Sequence, residues 1–114
     1  MKLPNAERAV LNIEKLRDYC LNPDHPKGKH KAHVFQEKLG LKAEHAERLR
    51  EQILEAALRS EAIEQTPSTY GRRFVIDFQG QRGVGYVMTR VIIRTAWIIR
   101  NDEDFARLTL CYIL

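Results

Sequence analysis

The apolar residues of this chain change period at about Arg72, and that change constrains the fold more than any other feature. Before it, apolar side chains recur three and four residues apart; after it, from Arg73 to Gln79 and again beyond Tyr86, runs rich in Phe, Val and Ile follow a strand-like pattern. Helices first and strands second predict an α+β domain, with N-terminal helices packed on one face of an antiparallel sheet of about four strands. With 114 residues, the chain is sized for one domain, spanning 1–114, whose folding buries roughly two-thirds of its extended surface.

The expected elements follow from punctuation and periodicity. Residues 6–12 suit a short first strand. A helix is expected over Ile13 to Leu21, with Asn12 as N-cap and Ile13, Leu16, Tyr19 and Cys20 on one face. A turn-rich connector, Asn22 to Gly28, leads to a second helix over Lys29 to Leu39, with Ala32, Phe35 and Leu39 inward and Gly40 as its stop. The third helix runs over Ala43 to Ser60, with Ala46, Leu49, Ile53, Ala56 and Ala57 on a stripe. Glu61 to Gly71 reads as a loop or weak strand, and Gln79 to Gly85 as a hairpin loop. A long or bent strand spans Tyr86 to Arg100, a turn covers Asn101 to Asp104, and a last strand covers Leu108 to Ile113.

Alternation along the long strand separates two faces. Val91, Ile93, Thr95, Trp97 and Ile99 suit packing under the helices. The other face carries Ile92, Ala96 and Ile98 with three arginines, Arg90, Arg94 and Arg100. Guanidinium forks match phosphate oxygens, so these arginines line a track for nucleic acid, with mid-strand Arg94 the principal member. The alternative is a solvated face whose arginines pair with acidic neighbours such as Asp77.

The densest polar signal is His25 to His33, which holds three lysines and three histidines in nine positions. It falls at a helix start, where backbone N–H groups and the helix dipole favour anions. His30 and Lys31 occupy the first turn. Lys27 and Lys29 flank Gly28, whose missing side chain admits a ligand to the backbone. The alternative is a solvated basic run. No carboxylate or cysteine completes a metal set with His25, His30 and His33, so no metal and no cofactor is expected.

Other classes drop out. The sequence has no GxGxxG, Walker loop or GxSxG element, which removes the basis for nucleotide-dependent and serine-hydrolase chemistry. Cys20 and Cys111 lack CxxC spacing and suit buried positions in a reducing compartment. No apolar run reaches the ~18 residues of a membrane span and no signal-peptide core is present, so a cytoplasmic protein without a membrane partner is expected. Nineteen Lys+Arg against fifteen Asp+Glu give a net charge of +4, compatible with a polyanionic or acidic partner.

LPNAERAV, the HPxGxHKAxxF stretch at His25 to Phe35, YGRRFVIDF, RTAWIIR and the closing RLTLCYIL resemble a family of small bacterial proteins known as a domain of unknown function. That family occurs free-standing and as C-terminal modules of polymorphic toxins. More distantly, helices before a four-stranded antiparallel sheet with a threonine and a tyrosine on the last strand resemble the barnase–EndoU–colicin–RelE ribonuclease toxins. The resemblance implies a toxin-like, metal-independent endoribonuclease that cleaves RNA by 2′-OH transesterification, with a cognate antitoxin or immunity protein as partner. It also implies catalytic roles for His30, Lys31, Arg94, Thr109 and Tyr112. Lys27, Gly28, Lys29, Arg90 and Arg100 would bind the phosphate backbone. Leu-Cys between Thr109 and Tyr112, and Ile113 where related toxins often have proline, depart from the toxins' pattern. On an ideal strand Thr109 and Tyr112 point to opposite faces, one to the groove and one to the core. Tyr86 or Trp97 is the one aromatic placed to stack a base. The competing reading is a non-catalytic module that binds nucleic acid or protein, including the neutralising half of such a pair.

Overall fold

The computed structural model describes residues 1–81 and 91–114. Asn12 starts the first helix by accepting a hydrogen bond from the Glu14 amide (3.1 Å). This helix, α1 (Ile13–Lys15), continues into a π-helical segment (Leu16–Cys20) closed by the Leu21 amide on the Leu16 carbonyl (2.8 Å). The wider turn brings Leu16, Cys20 and Leu21 together into the core. Helix α2 (Lys29–Leu39) buries Ala32, Phe35 and Leu39, the three positions its periodicity marks. It stops at left-handed Gly40, whose amide bonds the Gln36 carbonyl, while the Leu41 amide reaches Phe35. A 3-10 turn (Ala43–His45) leads into α3 (Ala46–Arg59), which buries Ala46, Leu49, Ile53, Ala56 and Ala57.

The expected strand over residues 6–12 does not form. A 3-10 turn occupies Ala6–Arg8, and only Val10 touches the sheet, through an isolated parallel bridge to Arg107. The chain turns just before Val10 and is capped for α1 just after it, so a single residue is left extended at the sheet edge.

The sheet is an antiparallel meander in the order β1-β2-β3-β4, comprising β1 (Ile63–Ser68), β2 (Gly71–Gln79), β3 (Ile92–Arg100) and β4 (Ala106–Ile113). The segment expected to be a loop or weak strand is thus edge strand β1, where Pro67 and a register shift between Gln65 and Ser68 are tolerated. Gly71 follows the β1–β2 turn at φ 155°, and a Cβ there would lie 2.0 Å from the Ile99 carbonyl oxygen. β2 and β3 can approach this closely only over a glycine.

Helices and sheet meet over Phe35, Phe74 and Trp97, each at most 1% exposed. Ile93, Thr95, Trp97 and Ile99 of β3 face this core, as alternation requires. Thr95 is the buried polar side chain among the described residues, and it is satisfied twice. Its hydroxyl donates to the Ile76 carbonyl (3.0 Å) and accepts from the Trp97 indole N–H (2.9 Å).

Candidate functional site

The start of α2 is held in place by His25. Its Nδ1 accepts the amides of Lys27 and Gly28 (3.0 Å each), and its ring meets Tyr19 edge-on at 4.5 Å. His25 is therefore a cap for the loop. Gly28 is buried rather than open to a ligand: a Cβ there would sit 2.6 Å from the Tyr19 carbonyl oxygen. Its missing side chain makes room for the π-helical segment, which corrects its expected role at a phosphate. Lys27, Lys29, His30 and His33 are exposed around this start. The Lys29 amide bonds the His25 carbonyl and the Ala32 amide that of Gly28. Among the described residues no backbone carbonyl accepts the His30 or Lys31 amide, as is usual for the first turn of a helix.

Lys31 turns from this helix towards the sheet. Its Nζ lies 4.9 Å from the centre of the Tyr112 ring on β4. Tyr112 pairs across β3 with Arg94, which in turn pairs with Asp77 on β2, so the three form one row on the face away from the core. The Arg94 guanidinium forks onto Asp77, Nε to Oδ1 and Nη2 to Oδ2 at 2.8 Å each. Its pKa is raised, first by the Asp77 hydrogen bonds and then by the Tyr112 phenol. The acidic neighbour named as an alternative is therefore Arg94's partner, and the Nη1 edge is the part of the fork that Asp77 leaves.

β4 carries one extra residue. Ala96 pairs with Leu110 and Trp97 with Leu108, leaving Thr109 in a bulge. Leu108 and Cys111, three apart, consequently both face the core. Thr109 is exposed, its hydroxyl donating to the Ala96 carbonyl (3.1 Å), and Tyr112 is half-buried on the outer row. Neither enters the core, which corrects the expectation from an ideal strand. Trp97 is sealed under the helices and cannot stack a base. Tyr86 and Arg90 lie outside the described residues. Arg100 does share the outer face of β3 with Arg94, six residues or about 20 Å further on.

The uncovered face has a regular make-up. Ile63, Val75, Ala96 and Leu110 align by register into an apolar row across all four strands. Asp77, Arg94 and Tyr112 border it on one side; Arg73, Ile98 and Arg107 border it on the other. Arg107 is tied to Glu103 (2.7 Å), which lowers that carboxyl's pKa, and it stacks on Phe105. Sequence reasoning overlooked Arg73 and Arg107, whose placement depends on strand register. It also overlooked Tyr70, 74% exposed at the β1–β2 turn, where an aromatic beside a turn glycine was the available signal.

The two cysteines are buried and free, with their thiols in hydrogen-bonding contact. That contact and burial push the Cys111 thiol well up, away from thiolate chemistry. Among the described residues no group of three His, Cys, Asp or Glu side chains is placed to hold a metal ion, and no helix is long and apolar enough to cross a membrane.

Fold and face together define a small α+β domain whose helices cover one side of an antiparallel meander and, among the described residues, leave an arginine-bordered side open. The chain belongs to the DUF6883 family, a domain of unknown function, whose model matches residues 2–114. No curated protein and no solved structure matches it.

Proposed function

We propose that the protein is a metal-independent endoribonuclease, the cytoplasmic toxin of a bacterial toxin–antitoxin or toxin–immunity pair. The observation that carries this reading is Lys31 of α2 standing over Tyr112 beside Arg94, which gathers two cations and a phenol from a helix start and the sheet. A phosphate at this corner meets Lys31 and the Nη1 edge of Arg94, beside the unpaired first-turn amides of the helix. The adjoining row of Ile63, Val75, Ala96 and Leu110 offers bases an apolar surface.

In the reaction, a base takes the ribose 2′-OH proton and the 2′-oxygen bonds to the adjacent phosphorus. The bond from phosphorus to the 5′-oxygen breaks, and an acid protonates that oxygen. The products are a 2′,3′-cyclic phosphate and a 5′-hydroxyl. His30, exposed one residue before Lys31, is assigned a proton-transfer role, worth about 10²–10⁴-fold in rate. Lys31 and Arg94 take the charge on the phosphoryl oxygens. Tyr112 positions the phosphate, and Thr109 holds the β4 bulge beside it through Ala96.

The Asp77 fork favours a second reading, a non-catalytic module that binds nucleic acid or an acidic protein, because it already occupies the better edge of Arg94. RNA cleavage in EDTA separates the two. Cyclic-phosphate ends from wild type, lost in His30→Ala and Arg94→Ala, are expected of the enzyme. A protein that binds RNA and leaves it intact is the module.

A further inference from the structure

A second feature of the open face lies at its far end, between the β1–β2 and β3–β4 turns. A cleft of about 590 Å³ there is lined by Tyr70, Ile98, Arg100, Asn101, Asp102 and Thr109. The two turns are bound to one another: the Asn101 amide donates to the Tyr70 carbonyl (3.1 Å) and the Asn101 side chain to that of Thr69 (2.8 Å). The Tyr70 amide is taken by the Ser68 hydroxyl (3.1 Å). Its backbone is thus held on both sides while three-quarters of the residue stays open to solvent. An aromatic ring presented on a fixed frame stacks a ligand at little entropic cost.

Charge supplies the second argument. Arg8, Arg17, Arg59, Arg72, Arg94 and Arg107 each hold a carboxylate, whereas Arg100 has none within ion-pair distance among the described residues. Its charge helps to lower the Glu103 pKa, but no described carboxylate holds its fork, which can take a phosphate. Asp102 at the same cleft opposes a phosphate inside it and accepts amino protons, as a base edge provides. Ile98 forms an apolar floor continuous with the open face that leads back to Arg94.

We infer that this cleft is a nucleobase subsite for single-stranded RNA, with Tyr70 as the stacking platform and Arg100 as the clamp on the adjoining phosphate. The inference rests on reading the open face as RNA-facing, and it adds where on that face, away from Lys31 and Arg94, a flanking nucleotide is gripped.

The test is fluorescence anisotropy of the full chain with a labelled 2′-O-methyl RNA oligomer, which lacks the 2′-OH that transesterification needs. Tyr70→Ala is expected to weaken binding roughly tenfold, and Tyr70→Phe to stay within about twofold of wild type. Arg100→Gln should lower the dependence of log affinity on log salt by about one. An oligomer made abasic throughout should bind wild type as weakly as the intact one binds Tyr70→Ala. Equal affinities for wild type and Tyr70→Ala overturn the subsite, as does a wild type that binds no oligomer at low salt. Poly-glutamate that displaces RNA and binds Tyr70→Ala as well as wild type also overturns it, in favour of an acidic protein partner. A wild type that shows the Tyr70 dependence but never cuts unmodified RNA supports the subsite and retires the ribonuclease reading.

Discussion

Along β3, Ile93, Thr95 and Trp97 face the helices and are at most 1% exposed, while their neighbours Ile92, Arg94, Ala96 and Ile98 stay half-buried on the other side. The inner row shares one core with Phe35, Leu39, Leu49 and Ile53 from the helices, and its one hydroxyl is satisfied by Ile76 and Trp97. The outer row is bordered by arginines, and the aligned Ile63, Val75, Ala96 and Leu110 still expose apolar surface. One strand therefore serves two purposes. Burial on the inner face drives folding, and the outer face spends little stability and keeps its donors near water.

The sharpest way to break this contrast is Trp97→Ala. It empties a core site and removes a donor to Thr95, and a loss of about 3–5 kcal/mol is expected by chemical denaturation. An outer-face change, Arg94→Ala, should leave stability within about 1 kcal/mol and instead reduce RNA cleavage on the order of 10²-fold or more. A large loss of stability in Arg94→Ala would erase the distinction between the faces.

Thr95→Val keeps the shape of the inner row but strands the Trp97 indole N–H, while the Ile76 carbonyl keeps its ladder bond from the backbone of residue 95. A cost of roughly 1–3 kcal/mol is expected; a neutral result would mean that the pair adds nothing to packing. The smallest effect concerns pH. Arg107 lowers the pKa of Glu103, and Arg8 that of Asp104, at the β3–β4 turn. A carboxyl with a lowered folded pKa stabilises the fold above its unfolded value, near 4, and that contribution is lost as pH falls further. Comparing Arg107→Gln with wild type across that acid range should show a slightly shallower decline in the variant. Parallel curves would remove the pair from the account.

Much of this was legible in local pattern. The bounds of α2, the stripe on α3 and the two faces of β3 follow from spacings of three, four and two, which depend on neighbours along the chain. The failures share a different dependence. Residues 6–12 look strand-like, but the turn at Ala6–Arg8 and the Asn12 cap leave only Val10 at the sheet. Thr109 and Tyr112 look opposed until the bulge shifts one of them. Gly28 looks open until the Tyr19 backbone fills the space beside it.

From its own order of residues the chain determined the succession of helices and strands, and which side of each is apolar, because those properties repeat within a few residues. Only the tertiary structure decided that Asp77 takes the Arg94 fork, that Lys31 stands over Tyr112 and that Tyr70 lies beside Arg100. Strand register, one extra residue in β4 and the closure of two hairpins set those meetings, and each is a relation between segments distant in sequence.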